Sequence, residues 1–122
     1  MILHVCTRHE LEEARVSGAR RPPSLDDVGF VHCSDPGTVH LPASRLFAGR
    51  TDVVVLVVDP ALLDAPVRWE PGVGHAGDED PRGPWFPHVY GPLDLGAVVA
   101  VHDLVPEPDG SFRPPPAVAR PT

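Results

Sequence analysis

The chain has 122 residues, 42% of them apolar, with 17 prolines, 11 glycines and a formal net charge of -7. One domain with a modest core is expected, and the acidic balance disfavours nucleic acid as a partner. No run reaches transmembrane length, and two cysteines, Cys6 and Cys33, do not make a disulfide framework. Met1-Ile2-Leu3 runs into a strand without a basic leader, so a reduced cytoplasmic protein is the expectation, with no membrane partner and a monomer as its default state. A local basic patch, with Arg15, Arg20 and Arg21 as its nearest candidates, leaves room for a small phosphorylated ligand.

Ile2 to Cys6 reads as a strand, with Ile2, His4 and Cys6 on one face and Leu3 and Val5 on the other, taken as the core face. Thr7 followed by Glu10 is a capping box, and it predicts a helix from about Arg8 to Val16, closed by Gly18. Arg20 to Gly29, with Pro22-Pro23, reads as a loop. It delivers the chain into Phe30-Val31-His32-Cys33-Ser34, a short strand on which Phe30, His32 and Ser34 share a face. A helix follows from Pro42 to Ala48, closed by Gly49. Val53 to Val58 is apolar on both faces and predicts a central strand covered on both sides.

Ala61 to Leu63 allows one helical turn, and Val67-Arg68-Trp69-Glu70 a short strand with Arg68 and Glu70 on one face. Pro71 to Pro84 is a glycine-rich acidic loop, either a solvated insertion or a cover for a site. Trp85 to Tyr90 restores extended structure, Gly91-Pro92 turns, and Val98 to Val101 lies in a further strand. The domain is assigned to residues 1–106, with 107–122 as a Pro-rich C-terminal tail. Four or five strands and two short helices make an α+β domain.

Three histidines, His4, His32 and His88, sit among strand formers, where a polar group needs a partner. Each is either a hydrogen-bonded structural residue or part of a site. Imidazole can donate from one nitrogen while accepting at the other, and it does acid–base work near neutral pH. The three are expected to converge on one cleft, with Glu70 at its rim. Glu70 could orient a ribose hydroxyl or stabilise a cationic transition state, or simply pair with Arg68 at the surface. Phe30, Trp85 and Tyr90 could stack a planar ring. A zinc ion on His4, His32 and His88 is the rival reading, but no short-spaced ligand pair supports it. Glycine-rich phosphate motifs are absent.

Ile2-Leu3-His4, Gly29-Phe30-Val31-His32-Cys33-Ser34, Phe47-Ala48-Gly49, Val67-Arg68-Trp69-Glu70 and Phe86-Pro87-His88-Val89-Tyr90-Gly91-Pro92-Leu93 resemble the DUF952 family over roughly residues 1 to 105. The resemblance implies a small ADP-ribosyltransferase-like split β-sheet with short helices, clasping NAD in a cleft, close to the RNA 2'-phosphotransferases. His4 matches the key position on the first strand and His32 the one on the next core strand, with Glu70, then His88, as the third group. The histidine at 32 departs from the tyrosine or serine of toxin-like transferases.

The resemblance therefore implies catalytic roles for His4, His32, Glu70 and His88, and NAD contacts from His4, Phe30, His32, Ser34 and Tyr90. The implied activity is ADP-ribosyl transfer from NAD to an unknown acceptor. The alternative is a non-catalytic module binding a nucleotide or small metabolite. A third reading makes the histidines structural and puts the function in a protein partner.

Overall fold

The computed structural model describes residues 1–72 and 82–113. Thr7 ends β1 (Ile2–Thr7) and caps α1 (Arg8–Ser17): its hydroxyl accepts from the Glu10 backbone, and the Glu10 carboxylate accepts from the Thr7 backbone. Both halves of the expected capping box are present. Gly18 closes the helix at a φ of 91°, which glycine adopts without Cβ strain.

The stretch expected as a loop holds two short elements, β2 (Ala19–Arg20) and α2 (Ser24–Asp27). β3 is only Val31–His32, shorter than the five-residue strand expected. α3 (His40–Phe47) starts ahead of Pro42, because a proline in the first turn removes no intrahelical hydrogen bond. β4 (Val53–Val58), β5 (Val67–Pro71) and β6 (Trp85–Val89) follow. β7 (Leu93–Asp94) and β8 (Val98–Leu104) complete the strands. Eight strands stand among the described residues, against four or five expected. The strands with no counterpart in the sequence reading are β2 and β7, each two residues long and too short to leave a periodic signal.

The strands form three sheets, ordered β1-β4-β8, β2-β7 and β3-β6-β5, and every ladder is antiparallel. The molecule is a small α+β fold. β4 is central in the first sheet and buried along its whole length, as its apolar run predicts. One face of that sheet packs Ile2, Cys6, Val54, Leu56 and Val58 against Val31 and Val89 of the third sheet and Cys33 just after β3. The other packs Leu3, Val53, Val55 and Val57 under Val39 and Ala43.

Both faces of β1 are therefore core, not the Leu3 and Val5 face alone. Phe112 is 3% exposed and belongs to the second cluster, its backbone N–H donating to Ser44 Oγ at 2.9 Å. Phe112 is thus part of the packed body. Residues 73–81 of the acidic loop and 114–122 of the Pro-rich tail lie outside the described residues. No helix among the described residues is long and apolar enough to cross a membrane.

Candidate functional site

The register of β3 on β6 decides where two of the histidines point. Val31 pairs with Val89 and His32 with His88. Side chains alternate across a strand, so burying the valine pair in the core sends the histidine pair to the opposite face. That face opens on a cleft of about 570 Å³ whose walls include His4, Arg20, His32, Ser34, Arg45 and His88.

His4 reaches the cleft from a different sheet. β1 and β3 share no ladder beyond one bridge, in which Leu3 and Ser34 exchange backbone hydrogen bonds at 2.7 and 2.6 Å. The bridge brings Nδ1 of His4 to 2.8 Å from the carbonyl oxygen of His32. A carbonyl only accepts, so Nδ1 carries the proton and Nε2 carries the lone pair. Nε2 in turn accepts from Nε of Arg20 at 3.2 Å. Burial, with the Arg20 charge adding to it, pushes the His4 pKa down to about 4. His4 is therefore a neutral imidazole with both nitrogens engaged, and it acts by holding Arg20.

Arg20 is gripped a second time. Its Nη2 donates to Glu10 Oε2 at 2.9 Å, and its side chain is 13% exposed. A guanidinium has five N–H donors. One serves His4 and one serves Glu10, which leaves three without a protein partner among the described residues, on a side chain that lines the cleft. The described lining also includes Arg45 and contains no carboxylate. Among the described residues, the charged side chains at the cleft wall are thus Arg20, paired with Glu10, and Arg45. The basic patch of the sequence resolves into Arg20, since Arg15 pairs with Glu12 at the surface and Arg21 is exposed.

His88 is 4% exposed and has a carboxylate behind it. Its Nδ1 lies 2.9 Å from Glu70 Oε1, and the Tyr90 hydroxyl donates to the same oxygen at 2.5 Å. Hydrogen bonds from Tyr90 and then His88 hold the Glu70 pKa below the usual carboxylate range. Phe30 stacks on the His88 ring at 3.9 Å and 14°, and its edge meets His32 at 4.9 Å. His32 is the most open of the three histidines. Partial desolvation and the neighbouring His88 hold its pKa below the ordinary imidazole value. Arg68 does not pair with Glu70 but lies 5.2 Å over the Tyr90 ring.

His4, His32, Ser34 and His88 therefore line the cleft, whereas Glu70, Phe30 and Tyr90 do not. The last three brace His88 from behind. Phe86, on the same face of β6 as His88, lines the cleft and went unnoticed as a site residue in the sequence. Alternation along the strand was the signal that could have found it. The zinc reading loses His4 as a ligand, since both its nitrogens are spent. Among the described residues no group of three or more His, Cys, Asp or Glu side chains is placed to hold a metal ion.

A family model described as a protein of unknown function, DUF952, matches residues 5–101. No curated protein matches the chain. The crystal structure of protein CC0527 from Caulobacter crescentus is similar, at a TM-score of 0.73 and 28% identity over 92% of both chains. A double mutant of CC0527 gives a TM-score of 0.73 at 27% identity, also over 92% of both chains. Its solution NMR structure gives 0.71 at 27% identity, over 90% of this chain and 89% of that one.

Proposed function

The chain belongs to the DUF952 family, and from that premise we propose that its cleft binds a small phosphorylated ligand of the nucleotide class. One observation carries the reading: Arg20 is fixed at the cleft wall by His4 and by the Glu10 carboxylate, with donors to spare, and no Asp or Glu is among the described lining residues. Guanidinium donors match phosphate oxygens in geometry and charge. A volume near 570 Å³ suits a small organic ligand. Leu41, Phe47 and Phe86 in the same lining offer apolar surface to a base.

NAD and ADP-ribose are the first ligands to test, because the family resemblance implies an NAD-clasping fold. The uncommitted donors of Arg20 suit their pyrophosphate. ADP-ribosyl transfer asks for more, since the ribose becomes cation-like and needs a carboxylate near it. Glu70 is engaged by His88 and Tyr90 outside the lining, which favours binding over transfer. Calorimetric titration with ADP-ribose and with NAD, alongside a nicotinamide-release assay, tests the reading. Saturable binding without release supports it. Release of nicotinamide supports the transferase instead, and no binding of either ligand contradicts both.

A further inference from the structure

Building on the cleft as an anion site, we propose that it hydrolyses a phosphate ester, with His88 as the base that activates water. The orientation of the His88 ring carries this. A carboxylate only accepts, so the contact from Nδ1 to Glu70 Oε1 at 2.9 Å puts a proton on Nδ1, and in the neutral imidazole the lone pair is then on Nε2. Tyr90 donates to the same Glu70 oxygen and fixes the carboxylate. Phe30, stacked at 3.9 Å, blocks rotation of the ring. Nδ1 is spent on a residue outside the cleft lining, so Nε2 is the ring nitrogen left for the cleft, and no described residue donates to it. A carboxylate holding an imidazole in this tautomer is the arrangement that makes histidine a directed base.

The charge of the lining selects the substrate. Arg20 and Arg45 line the same cleft and no carboxylate does among the described residues. Such a lining stabilises negative charge as it develops on phosphoryl oxygens and opposes a ribosyl cation. In the step, a water oxygen forms a new bond to phosphorus and its proton passes to Nε2 of His88. The P–O bond to the leaving group breaks with its electron pair, and the leaving oxygen takes a proton from solvent. Glu70 and Tyr90 touch neither water nor ester, and they are positioning residues.

The test uses the full chain with p-nitrophenyl phosphate and bis(p-nitrophenyl) phosphate, following nitrophenolate release. Nitrogen NMR of the imidazoles is recorded on the same protein. Turnover of one of the esters is expected. His88→Asn should lower kcat about 100-fold. Glu70→Gln should lower kcat about tenfold with KM nearly unchanged, and Arg20→Gln should act mainly on KM. The His88 spectrum should show a protonated Nδ1 and a bare Nε2, with that preference lost in Glu70→Gln. Circular dichroism confirms that each variant is folded. Absence of turnover above the His88→Asn level for both esters, or a proton on Nε2, overturns the proposal. If ADP-ribose still binds in that case, the anion-site reading stands without the hydrolysis. If it does not, both fall.

Discussion

Nε2 of His4 accepts a hydrogen bond from Nε of Arg20 at 3.2 Å, which ties the first strand of the chain to the wall of the cleft. The same imidazole donates to the His32 carbonyl. A histidine that reads in the sequence as a candidate acid or base is thus a strut between two backbone segments and a guanidinium.

His4→Asn separates the two roles, because its side-chain amide can still donate toward the His32 carbonyl while the acceptor for Arg20 is lost. Affinity for ADP-ribose should fall about tenfold, the scale of one charge-assisted hydrogen bond. Stability should fall by about 1–3 kcal/mol, because a buried donor loses its partner. Calorimetry and urea denaturation measure the two effects. Unchanged affinity would show that His4 does not position Arg20.

Stability should depend on pH through the same residue. The folded His4 titrates near pH 4, below the ordinary value of 6.5, so the unfolded chain binds the proton more readily between those values. Stability then rises with pH across that window and is lost as pH falls through it, by about 3 kcal/mol in all. His32, also held low, acts in the same direction. Urea denaturation at neutral pH and at about pH 5 should show the decline, and His4→Asn should flatten it. An equal decline in the variant would place the titration elsewhere.

What the sequence reveals follows from how local each cause is. The capping box of Thr7 and Glu10, the stop at Gly18 and the apolar run Val53–Val58 are written in neighbouring residues, and the structure has all three. The β2–β7 ladder joins distant partners and leaves too few residues for a pattern, whereas β3 reads as a strand but its pairing with β6 does not. Phe112 shows the same limit, since its place in the core depends on Ser44 and Val39, far away in the chain. The histidines stand out in the sequence as polar residues among strand formers, but their partners do not. That His4 holds Arg20, and that Glu70 stands behind His88, follow from sheet registers no local motif encodes.

Cys6 and Cys33 should be inert thiols. Burial pushes the Cys6 pKa up to about 11 and that of Cys33 up to about 12, so almost no thiolate forms in the folded state. A disulfide-exchange reagent at mildly alkaline pH should leave both unmodified until urea unfolds the chain, and then label both. Rapid labelling of either thiol without denaturant would contradict this burial.

Leu56 lies at the middle of β4 and is 0% exposed. Leu56→Ala should cost about 3 kcal/mol, the transfer term plus the cavity left behind. The urea midpoint should drop with little change in slope. A loss below about 1 kcal/mol would mean the site collapses around the smaller side chain, against the tight two-sided packing described above.

The most direct measurement is a backbone chemical-shift titration of the full chain with ADP-ribose, repeated on Arg20→Gln. The wild-type chain should show saturable shifts concentrated at His4, Arg20, His32, Ser34 and His88, the residues lining the cleft. Arg20→Gln should weaken the affinity about tenfold or more, as expected on losing the guanidinium that meets the phosphate. Shifts scattered away from the cleft, or an affinity indifferent to Arg20, would contradict the anion site.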